Sequence, residues 1–270
     1  MAVNPAPIGI FDSGLGGLTV VHAINQKLPA ESTIYFGDTA RVPYGPKSPE
    51  VVRRYSLEIA RWLLSQNVKA IVVACNTSTA HALGALRASV SVPVFGVIDP
   101  GAQAAVRVAP FHPIGVIGTA GTIKSGAYQR AIQALLPDAE VVAKACPLLV
   151  PMVEEGWFNH PATRLVAEEY LTPVRARNIR SLVLGCTHYP LIKPLIQEVI
   201  GEKVQLIDSA EETAAAVAAG LGEAGLEAGN GSPPSHRYVV SDDPDRFRRV
   251  GTGFLGDRIS TVEVTHLGAE

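Results

Sequence analysis

Residues 67–75 read NVKAIVVAC and residues 178–186 read NIRSLVLGC, and these two stretches match in character at almost every position. Both begin with Asn and both end in Cys. The apolar run inside each copy, bounded by polar residues, is typical of a strand buried on both faces of a parallel sheet. Ligands bind at the carboxyl edge of such sheets. The repeat therefore predicts two related units that each bring one thiol, Cys75 or Cys186, to a shared ligand.

Two further pairs of segments recur in the same order. PIGVIGTAGT at 113–122 matches PIGIFDSGLG at 7–16, and VQLIDSA at 204–210 matches VFGVIDPG at 94–101, each about 110 residues apart. The strand and helix predicted in RYVVSDDPDRFRRVGTGFLG at 237–256 have no counterpart in the second unit. We therefore expect an α/β fold with two similar parallel-sheet domains, related by pseudo-twofold symmetry, with the active site between them. The first domain is predicted to be discontinuous, 1–98 plus 209–270, and the second to span 99–208.

Composition excludes several classes of function. The chain has 270 residues and a formal net charge of −2, without a dense basic run, so we expect neither nucleic acid nor a membrane as a partner. The N-terminal segment has no basic region and is interrupted by Pro and Gly, unlike a secretory signal. Three widely spaced cysteines do not make a disulfide framework, and reduced thiols are typical of the cytosol. A cytoplasmic protein is the expectation.

The two repeated cysteines are the first candidates for chemistry. Each is followed by small hydroxyl or amide residues that can begin a helix, and a helix N-terminus favours a thiolate. A single cysteine is commonly just a small buried apolar residue. The symmetric placement of Cys75 and Cys186 argues against that interpretation, whereas Cys146 has no such partner and is expected to be structural.

Several polar residues lie near the predicted sheet edges. Asp12 begins the loop DSGLGG, where a carboxylate also serves as a helix cap or turn former. His188 follows Cys186 by two residues and is either structural or a proton carrier. Glu154 is either a solvated charge or a functional group. The sequence has no CxxC or HExxH metal pattern, and we expect no metal. Hydrogen bonding to a compact polar ligand would explain the small polar residues Ser13, Asn76, Thr77, Thr119, Thr122 and Thr187.

The chain closely resembles the glutamate racemases, the cofactor-independent enzymes of cell-wall precursor synthesis. The resemblance covers nearly the full length through IFDSGLGGLTV, FGDTARVPYGPKS, VVACNTSTA, GVIDPG, GTAGTIKSGAY, CPLLVPMVEEG, LGCTHYPLI and DPDRFRRVGTGFLG. It implies that Cys75 acts on D-glutamate and Cys186 on L-glutamate, without a cofactor and in a homodimer. It also implies supporting roles for Glu154, Thr119 and Thr122, and a glutamate site lined by Asp12, Ser13, Tyr44, Gly45, Asn76, Thr77, Thr187 and His188.

Racemisation fits two opposed thiols. One must take the α-proton from one face of the substrate while the other returns a proton to the opposite face. A free thiol titrates near ~8.5, so we expect Asp12 to assist Cys75 and His188 to assist Cys186. His188 favours glutamate over aspartate, because aspartate racemases are expected to carry a glutamate after their second Cys-Thr pair.

Two other kinds of protein stay open at this point. The first is a non-catalytic amino-acid binding protein, which would also place two α/β units around a ligand. The second is a thiol redox protein, in which the Cys75 and Cys186 α-carbons would have to lie within about 7 Å of each other.

Overall fold

The computed structural model describes residues 4–229, 233–255, 259 and 261–267. Every strand pairing in this part of the chain is parallel. The strands are β1 Ile8–Asp12, β2 Thr33–Gly37, β3 Ala70–Val73, β4 Val94–Gly96, β5 Ile114–Gly118, β6 Val141–Ala145, β7 Ser181–Gly185, β8 Gln205–Ile207, β9 His236–Val240 and β10 Val262–Val264.

The strands form two sheets whose centres have the same order. The first sheet runs β10-β9-β2-β1-β3-β4 and the second β6-β5-β7-β8, so β1 to β4 correspond one for one to β5 to β8. Strand β9, which the sequence predicts, extends the first sheet beyond β2, and β10, which it does not predict, lies at the edge beside β9. We call β1–β4, β9 and β10 with their connections the first lobe, and β5–β8 with theirs the second lobe. Two parallel-sheet α/β units are thus confirmed, and the boundaries at 98/99 and 208/209 stay a prediction.

Helices cover both faces of the sheets. They are α1 Leu18–Lys27, α2 Pro49–Ser65, α3 Asn76–Ser89, α4 Ile98–Val108, α5 Ala120–Lys124, α6 Ala127–Leu135, α7 Leu149–Glu154, α8 Pro161–Arg175, α9 Lys193–Ile200, α10 Ser209–Ala224 and α11 Pro244–Leu255. Helix α2 begins as its sequence predicts, since Ser48 caps it and Pro49 occupies the first position. No described helix has the length and apolar character that crossing a membrane requires.

The repeated segments have a shared backbone geometry. Asn67 and Asn178 adopt positive φ angles of 57° and 54°, a left-handed conformation that asparagine tolerates better than most residues. Each therefore turns the chain from a helix into the following central strand. In β3, Ile71 and Val73 pack on one face of the sheet while Val72 packs on the other. Burial on both faces explains the continuous apolar run.

The two copies diverge after the cysteines. Helix α3 begins directly after Cys75, whereas a short 3₁₀ turn at Tyr189–Ile192 separates Cys186 from α9. The expected helix start at Cys186 is therefore wrong. The segment VPVFGVIDPG at 92–101 predicts a short strand that ends near Asp99, but β4 ends at Gly96 and Asp99 lies in α4. The stretch GEAGLEAGNGSPPSH at 222–236, rich in Gly and Pro, predicts a surface loop, and its residues 230–232 lie outside the described residues.

Candidate active site

A cavity of about 220 Å³ contains both repeated cysteines. Its walls come from the segments that follow the carboxyl ends of β1, β2 and β3 in the first lobe and of β5, β6 and β7 in the second, as expected for facing parallel sheets. The lining residues are Ser13, Val42, Pro43, Tyr44, Gly45, Pro46, Cys75, Asn76, Thr77, Thr119, Ala120, Pro147, Val150, Pro151, Cys186, Thr187 and His188.

Most of the predicted site residues line this cavity, and three lie directly behind it. Asp12 accepts a hydrogen bond from the lining residue Thr187, with 3.3 Å between the oxygens. Thr122 lies 3.2 Å from the hydroxyl oxygen of Thr77. Glu154 contacts the ring of His188. Asp12, Thr122 and Glu154 can therefore act on a bound molecule through a neighbour that touches it.

Cys75 is buried at the N-terminus of α3. Its Sγ accepts a hydrogen bond from the backbone N–H of Ser78 at 3.4 Å and lies 3.8 Å from the Ser13 hydroxyl. Burial, and then the nearby carboxyl of Asp12, raise the pKa of the Cys75 thiol to about 12. Asp12 was expected to help Cys75 toward its reactive form, but the charge of Asp12 acts in the opposite sense, because an anion disfavours a second anion beside it. Cys75 is therefore a thiol at neutral pH.

Asp12 also links the two lobes. Its carboxyl accepts hydrogen bonds from the backbone of Gly14 at 3.0 Å and from Thr187 in the second lobe. Burial raises the pKa of Asp12, against the opposing effect of His188. The glycine loop allows this close approach, because a Cβ on Gly16 would lie 2.3 Å from the Thr187 hydroxyl.

Cys186 is buried beside a histidine and a carboxylate. The Cys186 Sγ lies 3.7 Å from Nδ1 of His188, whose Nε2 lies 3.0 Å from Oε1 of Glu154. Burial lowers the pKa of His188, but its contacts with Cys186 and Glu154 outweigh that effect and raise the pKa to about 10. The pKa of Glu154 is lowered because its hydrogen bond to His188 and the charges of His188 and Arg246 outweigh burial. His188 is therefore a cation at neutral pH, with N–H groups facing both partners, and it stabilises negative charge on the Cys186 sulfur.

Threonine hydroxyls join the lobes at another part of the cavity. Thr77 of the first lobe lies 2.9 Å from Thr119 of the second, and Thr119 lies 3.1 Å from Thr122. Next to them, the Gly121 N–H donates to the carbonyl oxygen of Gly45 at 2.9 Å. These contacts set the distance between α3 and the loop before α5.

The loop that carries Tyr44 is held by a buried carboxylate that sequence reasoning missed. Asp38 accepts hydrogen bonds from the Tyr44 hydroxyl, from Nε of Arg41 at 2.7 Å and from the Ser241 hydroxyl at 2.9 Å. The motif FGDTARVPYGPKS contains Asp38, Arg41 and Tyr44, but Ser241 lies some 200 residues further along the chain. Sequence reasoning also missed Arg246, which lies 3.7 Å from Glu154 across the lobes.

The proline-rich apolar side of the cavity was not identified from sequence either. Pro147, Val150 and Pro151 follow β6, whose apolar run went unassigned. As to metals, no group of three or more His, Cys, Asp or Glu side chains that could hold an ion occurs among the described residues.

Comparison with known proteins gives one consistent result. The family model for Asp/Glu/hydantoin racemases matches residues 8–217. A glutamate racemase of Geobacter metallireducens is 54% identical over 263 residues, and the match covers 97% of each chain. The solved structure of a glutamate racemase isoform from Bacillus anthracis shares 40% identity, with a TM-score of 0.92 and 98% of both chains covered. A Francisella tularensis glutamate racemase solved in complex with D-glutamate shares 39% identity, with a TM-score of 0.92 over 98% of this chain and 99% of the other.

Proposed function

Because the chain belongs to the Asp/Glu/hydantoin racemase family, we propose that it interconverts L-glutamate and D-glutamate by a two-cysteine mechanism that uses no cofactor. The observation that carries this proposal is that Cys75 and Cys186 line one cavity, each after the carboxyl end of an equivalent strand in the two sheets. The Geobacter metallireducens and Bacillus anthracis relatives are both named glutamate racemase.

The proposed reaction has two proton transfers. With L-glutamate bound, the Cys186 thiolate takes the α-proton and becomes a thiol, leaving a carbanion at the α-carbon. The Cys75 thiol then donates its proton to the opposite face and becomes a thiolate, which completes D-glutamate. The reverse reaction exchanges the two roles. The role of acid is given to Cys75 because burial and Asp12 raise the pKa of its thiol, and the role of base is given to Cys186 because it faces the His188 cation.

The proposed substrate site has no lysine or arginine to bind the two carboxylates of glutamate. Of the lining side chains, all of them described residues, only Tyr44, Cys75, Cys186 and His188 can ionise, so no lysine or arginine lines the cavity. Hydroxyls, the Asn76 amide and backbone N–H groups at the start of α3 would therefore bind the two carboxylates. The candidate binding residues are Asp12, Ser13, Tyr44, Gly45, Asn76, Thr77, Thr119, Thr122, Thr187 and His188.

The proposed setting follows from the family. D-Glutamate would supply peptidoglycan precursor synthesis, and so cell-wall biogenesis and cell shape, in the cytoplasm. We also propose a homodimer and the lobe boundaries 1–98 plus 209–270 and 99–208. Glutamate is the only partner in this proposal, which includes neither nucleic acid nor a membrane.

Circular dichroism of free glutamate tests the function. The purified protein should abolish the signal of either enantiomer, while Cys75→Ala and Cys186→Ala should each lower turnover by a factor of about 1,000 or more, because each removes the acid/base on one face. Cys146→Ala is the matched control and should keep its activity, since this buried thiol does not line the cavity. Aspartate turnover above that of glutamate would favour the alternative substrate. Glutamate binding without turnover would indicate a binding protein.

A further inference from the structure

The carbonyl oxygen of the Asn76 side chain has a hydrogen-bond partner, whereas the nitrogen of the same amide has none. Asn76 is 2% exposed and lines the cavity. Its Oδ1 accepts a hydrogen bond of 2.7 Å from the hydroxyl of Tyr128, and its Nδ2 has no hydrogen-bond partner. A buried donor without a partner costs free energy unless a bound molecule accepts from it. The Asn76 N–H₂ group therefore lacks an acceptor, and a molecule bound in the cavity that Asn76 lines could supply one.

Tyr128 reaches Asn76 from the opposite lobe. It belongs to α6 of the second lobe, is 1% exposed and does not line the cavity, whereas Asn76 begins α3 of the first lobe. A Cβ atom added at Gly101 would lie 3.4 Å from the Tyr128 hydroxyl and 3.4 Å from the Cβ of Ser209. The phenol is therefore closely packed against Gly101 and Ser209, in the segments that connect the two lobes. The Tyr128 hydroxyl is also hydrogen-bonded to Ser209, and among the residues assigned to the substrate site it donates to Asn76.

We propose that Tyr128 is a positioning residue for substrate binding: by occupying the Asn76 carbonyl oxygen, it turns the Asn76 N–H₂ group toward a substrate carboxylate. An asparagine amide can rotate to present either its oxygen or its nitrogen. Without the Tyr128 hydroxyl, the orientation that points the oxygen at the carboxylate becomes accessible, and that orientation repels the substrate. This inference deepens the proposed function and rests on it.

The contact also makes Asn76 sensitive to the separation of the lobes. Its partner belongs to the second lobe, so a movement that separates α3 from α6 breaks the hydrogen bond at 2.7 Å. The Asn76 donor is then correctly oriented only when the two cysteines face the same cavity. Substrate affinity and catalytic geometry are coupled by this one phenol.

A double-mutant cycle of Tyr128→Phe and Asn76→Ala tests the proposal. Tyr128→Phe in the otherwise unchanged chain should raise KM for both enantiomers about tenfold, with a smaller effect on kcat, because a donor to a charged carboxylate is lost. In the Asn76→Ala background the same change should alter KM less than about twofold, since the tyrosine acts through the amide. Thr163→Val is the control, a change at a buried hydroxyl that donates to the Trp157 carbonyl oxygen in the same lobe. It should lower Tm without changing KM.

Several outcomes would overturn the inference. The first is a Tyr128→Phe variant with unchanged KM, and the second is one with the same KM increase in both backgrounds. A loss confined to Tm, as expected for Thr163→Val, would show that the hydroxyl is only structural. The wild-type protein is assayed first. If it does not racemise glutamate, the proposed function is wrong, and this outcome is distinct from a failure of the inference about Tyr128.

Discussion

At the scale of single residues, a symmetric fold surrounds its two thiols with unlike groups. Cys75 lies near the Asp12 carboxyl, and burial together with that charge raises its pKa to about 12. Cys186 faces the His188 ring, which Glu154 helps to keep protonated. Cys75 is therefore a thiol, whereas Cys186 lies beside a cation. The proposed reaction from L-glutamate uses this difference, with Cys75 as the acid and Cys186 as the base.

Glu154→Gln tests the role of the His188 cation. The Glu154 carboxylate raises the His188 pKa, whereas burial lowers it. Without the carboxylate the effect of burial is less opposed, and the ring loses its proton at a lower pH. Activity that needs the cation is present below the His188 pKa and is lost as pH rises through it, so this loss should begin at lower pH in the variant. We expect kcat from L-glutamate to fall about tenfold and kcat from D-glutamate to fall less.

The measurement is kcat and KM in both directions across pH. Because two enantiomers have equal free energies, kcat/KM must stay the same in both directions, and the asymmetry appears in kcat and KM separately. Glu155→Gln is the control, since Glu155 is exposed and its side chain pairs with Arg246 at 3.5 Å. A Glu154→Gln profile that matches this control would remove Glu154 from proton management.

At the scale of elements, the loops after the strands approach one another through glycine. A Cβ on Gly121, at the start of α5, would lie 2.8 Å from the carbonyl oxygen of Gly45 in the first lobe, too close for a backbone atom to accommodate without a shift. The Gly121 carbonyl oxygen in turn lies 3.2 Å from Nε2 of His81 in α3. The backbone N–H and C=O groups of Gly121 thus both bond to the first lobe and fix the distance between the two lobes.

Gly121→Ala should therefore displace α5 from the first lobe. We expect kcat/KM to fall about 10- to 100-fold, because an error of about 1 Å in placing reacting groups has effects of this size. Gly84→Ala is the matched control, since no atom lies within 4 Å of a Cβ at that position in α3. It should keep full activity and raise stability by about 0.5–1 kcal/mol. Equal activity of the two variants, with Tm measured alongside, would show that the Gly121 contact does not set the geometry.

The sequence predicted those parts of the site that local patterns encode. A buried strand ending in Cys75 or Cys186 follows from a run of apolar residues, and parallel strands bring their ends to one edge. Contacts that join distant segments are not encoded in that way. Tyr128 and Asn76 are 52 residues apart in the sequence, and Ser241 and Asp38 are 203 residues apart. No spacing rule predicts either hydrogen bond. Strand β10 was missed because it is only three residues long and largely exposed.

At the scale of the whole molecule, two sheets with the same central strand order suit the proposed reaction with two faces. The central strands β3 and β7 occupy equivalent positions, and each brings one cysteine to the common cavity. In the proposed reaction neither lobe contains both acid/bases, so the two lobes must be assembled around one α-carbon. Three hydrogen bonds cross between the lobes: Thr187 donates to Asp12, Tyr128 donates to Asn76, and the hydroxyls of Thr77 and Thr119 bond to each other. The two thiols are thus proposed to act on opposite faces of the substrate.

Racemisation in deuterium oxide tests that claim most directly. The thiol that returns a proton exchanges with solvent and differs from the base that removes one. At low conversion, mass spectrometry of the separated enantiomers should therefore show deuterium at the α-carbon of the product and protium in the remaining substrate. Substantial protium transfer into the product would mean that one base serves both faces. Deuterium in both enantiomers at low conversion would mean that the carbanion exchanges with solvent before the second thiol acts, and either result would contradict the account.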